Sequence, residues 1–364
     1  MWLKNLKPLL VATFGIILVV FSTNVFAQEQ HTNADSAKKP FDPTTVIMHH
    51  VQDAHSFHFF TIGDFNAVIP LPVILYSPQK GLSVFLSSRF GHKGENTFDG
   101  YKLGESEKIT SVDPGVTVFD FSLTRNAVQM FLICGLFIIF MIKIARKYQK
   151  GIGVNTAPSG AQNFMEPIII FLRENLAKEN LGLRWERYTP FLLTTFFFIL
   201  TNSLFGLVPG VANVTGNIAF TLLLGIVALV VMLAGTTSHF WKHLFWPPGV
   251  PIAVKFILAP IELAGELFMK PGALVIRLFA NMVAGHIVIL AFVSLIFIFG
   301  ELSHVAGLSF SPFSIIFIIF DYFLEILIAF IQAFIFTVLL AIFTGQGFEG
   351  SDHDVAPGSH DGML

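Results

Sequence analysis

Hydrophobic and polar positions divide the chain into zones of different rhythm. From about Phe119 onward the apolar residues gather into runs of bilayer length, whereas residues 28–118 mix short apolar and polar stretches. The first run predicts a helix over Phe119–Lys147, centred on Val128–Ile142 and closed by Lys143, Arg146, Lys147 and Lys150. Asn163–Ala177 carries Phe164, Ile168, Phe171 and Leu172 at helical spacing among Glu166, Arg173 and Glu174. It is too short and too charged to span, and reads as an interfacial helix. Tyr188–Val208, stopped by Pro209-Gly210, and Asn217–Phe240 predict the next two spans. Ile252–Phe299 exceeds the roughly 20 residues that hydrocarbon requires, so it must tilt, lie partly in the membrane plane, or break near Pro260 or Pro271. Pro312–Phe343 predicts the last span. The fold class expected is therefore an all-α polytopic membrane protein. It has about five membrane helices plus one interfacial helix, the last two long and tilted, and a small N-terminal extramembrane region with short β-strands.

The remaining zones are read from their ends. Lys4 and Lys7, the apolar Leu9–Phe21 and the small-residue stop Val25-Phe26-Ala27 make residues 1–27 a signal peptide, with an uncleaved anchor as the alternative. Residues 28–118 then form a periplasmic region. Within it Phe57–Phe90 alternates apolar and polar residues between Pro, Gly and Ser breaks, the signature of short strands. His49, His50, His55 and His58 lie near Asp53, but at no spacing typical of a metal site, so they are expected to be ordinary surface histidines. The polar residues 346–364 form a tail. Arg184, Arg187, Lys242 and Lys255 flank the two central spans on one side, while Pro209–Gly216 on the other has no charge. The positive-inside rule makes the basic side cytoplasmic, with the N-terminal region periplasmic and the C-terminus cytoplasmic.

Composition agrees: 54% of residues are hydrophobic, 13% are charged, and the mean hydropathy is +0.70. The net charge of −2, without a broad basic patch, excludes a nucleic-acid partner. The single cysteine, Cys134, cannot form a disulfide within the chain. No cofactor or metal is called for.

The chemistry gathers in the last two helices. Arg277 interrupts an apolar run, and its guanidinium cannot shed its proton. At bilayer depth it costs about 2.5–3.5 kcal/mol on insertion scales, so it must face protein or water. Arg277 and Asn281 share a helix face, and His286 points about 180° away and lies about 13 Å further along the axis. On the last helix Asp321, Glu325 and Gln332 share a face, with Glu325 and Gln332 about 10 Å apart along the axis. In an antiparallel pair, setting Gln332 level with Arg277 brings Glu325 level with His286. A carboxyl and an imidazole at one depth can pass protons, since histidine titrates nearest neutrality. A structural pair that only stabilises packing is the alternative.

Arg277-Leu278-Phe279-Ala280-Asn281-Met282, followed by Ala284-Gly285, resembles the signature of the a subunit of rotary ATP synthases. Ile331-Gln332-Ala333-Phe334-Ile335-Phe336 is similar to that family's last-helix motif. The resemblance covers roughly Phe119 to Gly345. It implies the stator half of a proton channel, with one half-channel on each side of the membrane and the essential arginine, Arg277, between them. The periplasmic half-channel would hold Asn281, His286, Asp321, Glu325, Gln332 and Asn202. The cytoplasmic one would hold Lys255, Glu262, Glu266 and Lys270. The implied partners are a rotor ring of c subunits, the b subunits of the peripheral stalk, the rest of the synthase and the lipid of a bacterial inner membrane. Such a chain makes no covalent bond itself. In many bacterial relatives the His286 position is glutamate and the Glu325 position histidine; here the two are exchanged. A usual glutamate upstream of the arginine is Leu263, leaving Glu262 and Glu266 as substitutes. The rival reading is a self-contained proton-coupled transporter in which Arg277 binds an anionic substrate; no internal repeat supports it.

Overall fold

The computed structural model describes residues 53–347 except 63–64, 92–95, 105–106, 114, 209–210 and 247–250. The expected signal peptide, His49, His50 and nearly all of the tail lie outside the described residues. The chain divides into two compact units. One comprises residues 1–133, 204–214 and 283–325; the other comprises 134–203, 215–282 and 326–364.

The first unit contains all the strands among the described residues. β1 (Ser56–Ile62) and β2 (Phe65–Pro70) pair antiparallel; β3 (Pro72–Ser77) lies between β4 (Gly81–Leu86) and β7 (Phe119–Asp120); β5 (Tyr101–Leu103) pairs with β6 (Ile109–Ser111). Period-two alternation sends Val73 and Leu75 inward, where they pack with Phe90, Tyr101 and Ile109 against Phe85, Phe98, Leu103 and Val118. The first predicted helix starts later than expected, because Phe119 and Asp120 are drawn into pairing with Tyr76 and Leu75. α1 spans Arg125–Gln149, and its first turn is fastened to the chain before β1. The Arg125 amide donates to the Ala54 carbonyl at 2.9 Å, and the Asn126 amide donates to Asp53 Oδ1 at 3.2 Å.

One histidine departs from expectation. His55 is buried, not a surface residue, and its Nε2 lies 3.0 Å from Asp120 Oδ2. Burial alone would raise the Asp120 carboxyl; the hydrogen bonds from His55 and Ser122 outweigh it and hold the group below the ordinary carboxylate range. No metal-binding cluster occurs among the described residues. Further along, the Gln129 carboxamide clamps one buried residue, donating to the Ala212 carbonyl while accepting from the Ala212 amide.

Among the described residues, five helical runs are long and apolar enough to cross a membrane. After α1, α2 (Ala161–Phe171) passes through a π turn at Leu172–Lys178 and a 3₁₀ turn at Gly182–Arg184 into α3 (Trp185–Gly206). The segment expected as a separate interfacial helix is thus continuous with the next span, in one run of 46 residues. α4 (Ile218–Gly235) begins at Asn217, whose side chain accepts from the amides of Ala219 and Phe220. The expected extension to Phe240 is broken, because Thr236 is extended and Thr237 caps a new helix, α5 (Ser238–Phe245).

α6 (Ile252–Ala264) joins α7 (Lys270–Leu302) through a π turn at Gly265–Met269, between the two prolines where a break was expected. Pro271 lacks the N–H that an α-helix would direct to the Leu267 carbonyl, and a wider turn resolves the mismatch without ending the helix. α8 spans His304–Gln346, starting earlier than predicted. The runs Val254–Leu302 and His304–Gln346 have 49 and 43 residues. At 1.5 Å per residue these are about 74 and 65 Å long, against about 30 Å of hydrocarbon, so each is longer than one perpendicular crossing needs.

Candidate functional site

Within the second unit, α7 has two unlike faces. Leu274, Val275, Leu278 and Met282 are buried, and Gly225 of α4 lacks the side chain that would collide with Val275. Ala273, Ile276, Arg277, Ala280 and Asn281 recur at helical spacing and are all exposed. Arg277 makes no hydrogen bond or ion pair among the described residues. Its neighbours are mostly small, which leaves room for another helix to approach closely. The Asn281 carboxamide, one turn on, donates to Gln332 Oε1 at 3.0 Å. Gln332 is buried on α8, flanked by the fully buried Ala329 and Ala333. Its partner is therefore Asn281, not Arg277.

The first unit holds the other ends of α7 and α8, which form a hairpin turned at Ser303. Its side chain accepts from the Ala306 amide, and Gly307 packs on Gly300 where a side chain would collide. Moving back along α7 from Phe299 to Phe292 moves forward along α8 from Phe310 to Phe317, through ring contacts of 4.5 and 5.2 Å. The next step brings Gly285 against Glu325: a methyl group at Gly285 would overlap the Glu325 carboxylate. Glu325 thus lies at the level of Gly285 and the half-buried His286. Glu325 is 4% exposed, and neither carboxylate oxygen accepts a hydrogen bond from a described residue; Asp321 Oδ2, one turn away, is also unsatisfied. A buried carboxyl so placed must be neutral or meet solvent.

The charges expected on the other side lie in the second unit. Lys270 donates to Glu266 one turn back and to Gln346 Oε1 at 2.7 Å, with its ammonium 4.8 Å from the Phe343 ring. Lys255 is buried with its ammonium 4.5 Å from the Trp246 ring, and Glu262 is half-buried. Asn202 is fully buried, and its amide donates to the Phe198 carbonyl of its own helix at 2.8 Å. Two participants were missed from sequence. Gly285 sits in the quoted motif but has no side chain to suggest a role. Gln346 lies beyond the expected end of the last helix; the unbroken apolar periodicity up to Phe343 was the signal that the helix reached it.

Residues 127–345, more than half of the chain, match the family described as ATP synthase A chain, and residues 46–129 match a domain of unknown function (DUF8433). The chain is 43% identical over 240 residues to ATP synthase subunit a of Chloroherpeton thalassium, covering 65% of this chain and 69% of that one. It is 36% identical over 325 residues to ATP synthase subunit a of Chlorobium phaeobacteroides strain BS1, covering 86% and 79%. Against ATP synthase subunit a of Anaeromyxobacter sp. strain Fw109-5 the identity is 32% over 321 residues, covering 85% and 71%.

Proposed function

This chain belongs to the ATP synthase A chain family, and from that premise we propose that it is the stator subunit carrying protons to and from a rotor ring of c subunits in a bacterial inner membrane. The observation that carries the reading is Arg277. A permanent cation stands on an exposed face of a membrane helix, with no anion among the described residues to meet it. Its counter-charge is a carboxylate of the rotor, which passes Arg277 ionised. Protons reach that carboxylate from the periplasm through a half-channel at Glu325, Asp321 and His286, with the Asn281–Gln332 pair and Asn202 completing it. They leave through a cytoplasmic half-channel at Glu262, Glu266, Lys270 and Lys255. The fixed charge of Arg277 repels a proton that would pass directly between the two. A proton crossing 100 mV releases about 2.3 kcal/mol, which such a leak would dissipate.

The chain performs no covalent chemistry; the catalytic head of the synthase does. The b subunits of the peripheral stalk hold it against rotation. Residues 1–27 direct export, 28–118 lie in the periplasm, 119–345 form the channel, and 346–364 are cytoplasmic. Membership of the family leaves the transporter alternative without support. The test is ATP-driven proton pumping by inverted vesicles containing Arg277→Ala. The variant should assemble with its rotor ring and fail to pump, and normal pumping would overturn the assignment.

A further inference from the structure

The central sheet of the first unit has an outer face on which none of the described residues packs. Antiparallel register sets Tyr76 beside Leu82 and Phe119, and Ile74 beside Val84. The strand continues past Asp120: the Phe121 amide donates to the Ile74 carbonyl at 2.9 Å, and the Leu123 amide to the Pro72 carbonyl at 3.3 Å. Pro72 in turn faces Leu86. Residues opposite one another share a face, so this side carries three rows of three: Leu82–Tyr76–Phe119, Val84–Ile74–Phe121 and Leu86–Pro72–Leu123. All nine lack charge. Leu82, Val84 and Phe121 are 67%, 61% and 64% exposed, and Leu86 and Phe119 about half. A contiguous apolar face of this kind marks a protein or membrane contact.

Its attachment identifies the occupant. The lowest row, ending at Leu123, is two residues from the start of α1, and the Arg125 and Asn126 amides are tied to Ala54 and Asp53. The sheet therefore cannot drift from the mouth of a membrane span. From Phe119 to Leu132 the exposed apolar side chains are Phe119, Phe121, Leu123, Phe131 and Leu132; of the two charged residues in the stretch, Asp120 is turned to His55 on the other side and Arg125 is half-buried with its Nε buried. The apolar face thus runs into the exposed apolar side of α1 with no fully exposed cation between them. At 25 residues α1 is about 37 Å long, more than the hydrocarbon core, so its first turns reach the headgroup layer. Polar groups mark the far end of the face: the Tyr76 hydroxyl, and Lys80 bonded to Asp113 at 2.7 Å. Aromatic rings between an apolar body and a polar rim suit the bilayer interface.

We propose that the outer face of the β4–β3–β7 sheet rests on the headgroup layer of the bilayer, so that the extramembrane region grips lipid beside the first span. The test uses the full complex in phosphatidylcholine vesicles carrying a shallow doxyl spin label. A fluorophore is placed at Leu86→Cys in a Cys134→Ser background, with Val84→Cys as a second site and Lys102→Cys as a water-facing control. The doxyl lipid should quench Leu86→Cys strongly and Val84→Cys next, with iodide quenching of both several-fold weaker than at Lys102→Cys. Strong iodide quenching without lipid quenching would overturn the proposal by leaving the face in water. Protection from both quenchers would overturn it equally, by showing that protein covers the face.

Discussion

Replacing Gln129 by leucine tests how the loop between α3 and α4 is held. Gln129 is 4% exposed and Ala212 is fully buried, so neither has water to fall back on. The carboxamide supplies both a donor and an acceptor to the backbone of this one residue. Leucine keeps the bulk and removes both bonds, leaving a buried N–H and a buried C=O unsatisfied. At about 1–3 kcal/mol each, the loss is about 2–6 kcal/mol, and the added apolar side chain moves it toward the lower end. At 2 kcal/mol the purified chain, with about 2.1 cal/mol/K of unfolding entropy per residue, should melt about 3 °C lower. The more specific readout is hydrogen exchange at the Ala212 amide, which should accelerate about 30-fold if the loop opens locally. An unchanged melting temperature together with unchanged protection at Ala212 would refute the clamp.

Exchanging the titratable pair provides a functional test: His286→Glu and Glu325→His should each lower proton flux strongly, and the double exchange should recover part of it, with a coupling of about 1 kcal/mol or more. Strictly additive fluxes would separate the two residues. Gly285→Ala should reduce flux while the complex still assembles, because the added methyl displaces the Glu325 carboxylate; unaltered flux would mean that the position of that carboxyl does not matter. The Asp120 carboxyl is held below its ordinary value in the folded protein, so its contribution is complete above the unfolded carboxylate range and is lost as pH falls through the folded value. The stability gap between the wild type and Asp120→Asn should therefore shrink as pH falls below the ordinary carboxylate range, and a gap that did not shrink there would contradict the hydrogen-bonded carboxylate.

Much of the helical architecture was legible because a bilayer imposes a long apolar run on every span, and such runs survive in any tertiary context. What escaped the sequence was decided by single backbone groups. Phe119 and Asp120 are as apolar and helix-compatible on average as their neighbours, yet the alternation Phe119, Phe121, Leu123 was the period of a strand, and pairing with β3 claimed it. Thr236 and Thr237 carry no charge to mark a boundary, but a threonine hydroxyl that accepts the Phe240 amide starts a helix better than it continues one. The π turn at Gly265–Met269 came from a correct premise, that proline disturbs the run, and an incomplete inventory of remedies, since a widened turn absorbs the missing donor without a break.

The same distinction governs the site. Arg277, His286, Glu325 and Gln332 could be found because charge and amide groups are expensive in hydrocarbon, so each one present asks for a reason. Their spacing along each helix follows from the fixed rise per residue, and the hairpin at Ser303 makes α7 and α8 antiparallel in the first unit; the register between the helices had to be assumed. Contacts could not be set in that way. Two residues on facing helices can share a level and still differ in the direction of their side chains. That is how Gln332 comes to be held by Asn281, while Arg277, one turn from Asn281, is left on the open face. On the proposed function this division has a sense. An arginine satisfied within its own chain would have no reason to attract a carboxylate moving past on another. The amide pair beside it fixes Gln332 and keeps that side chain from becoming the partner Arg277 must lack.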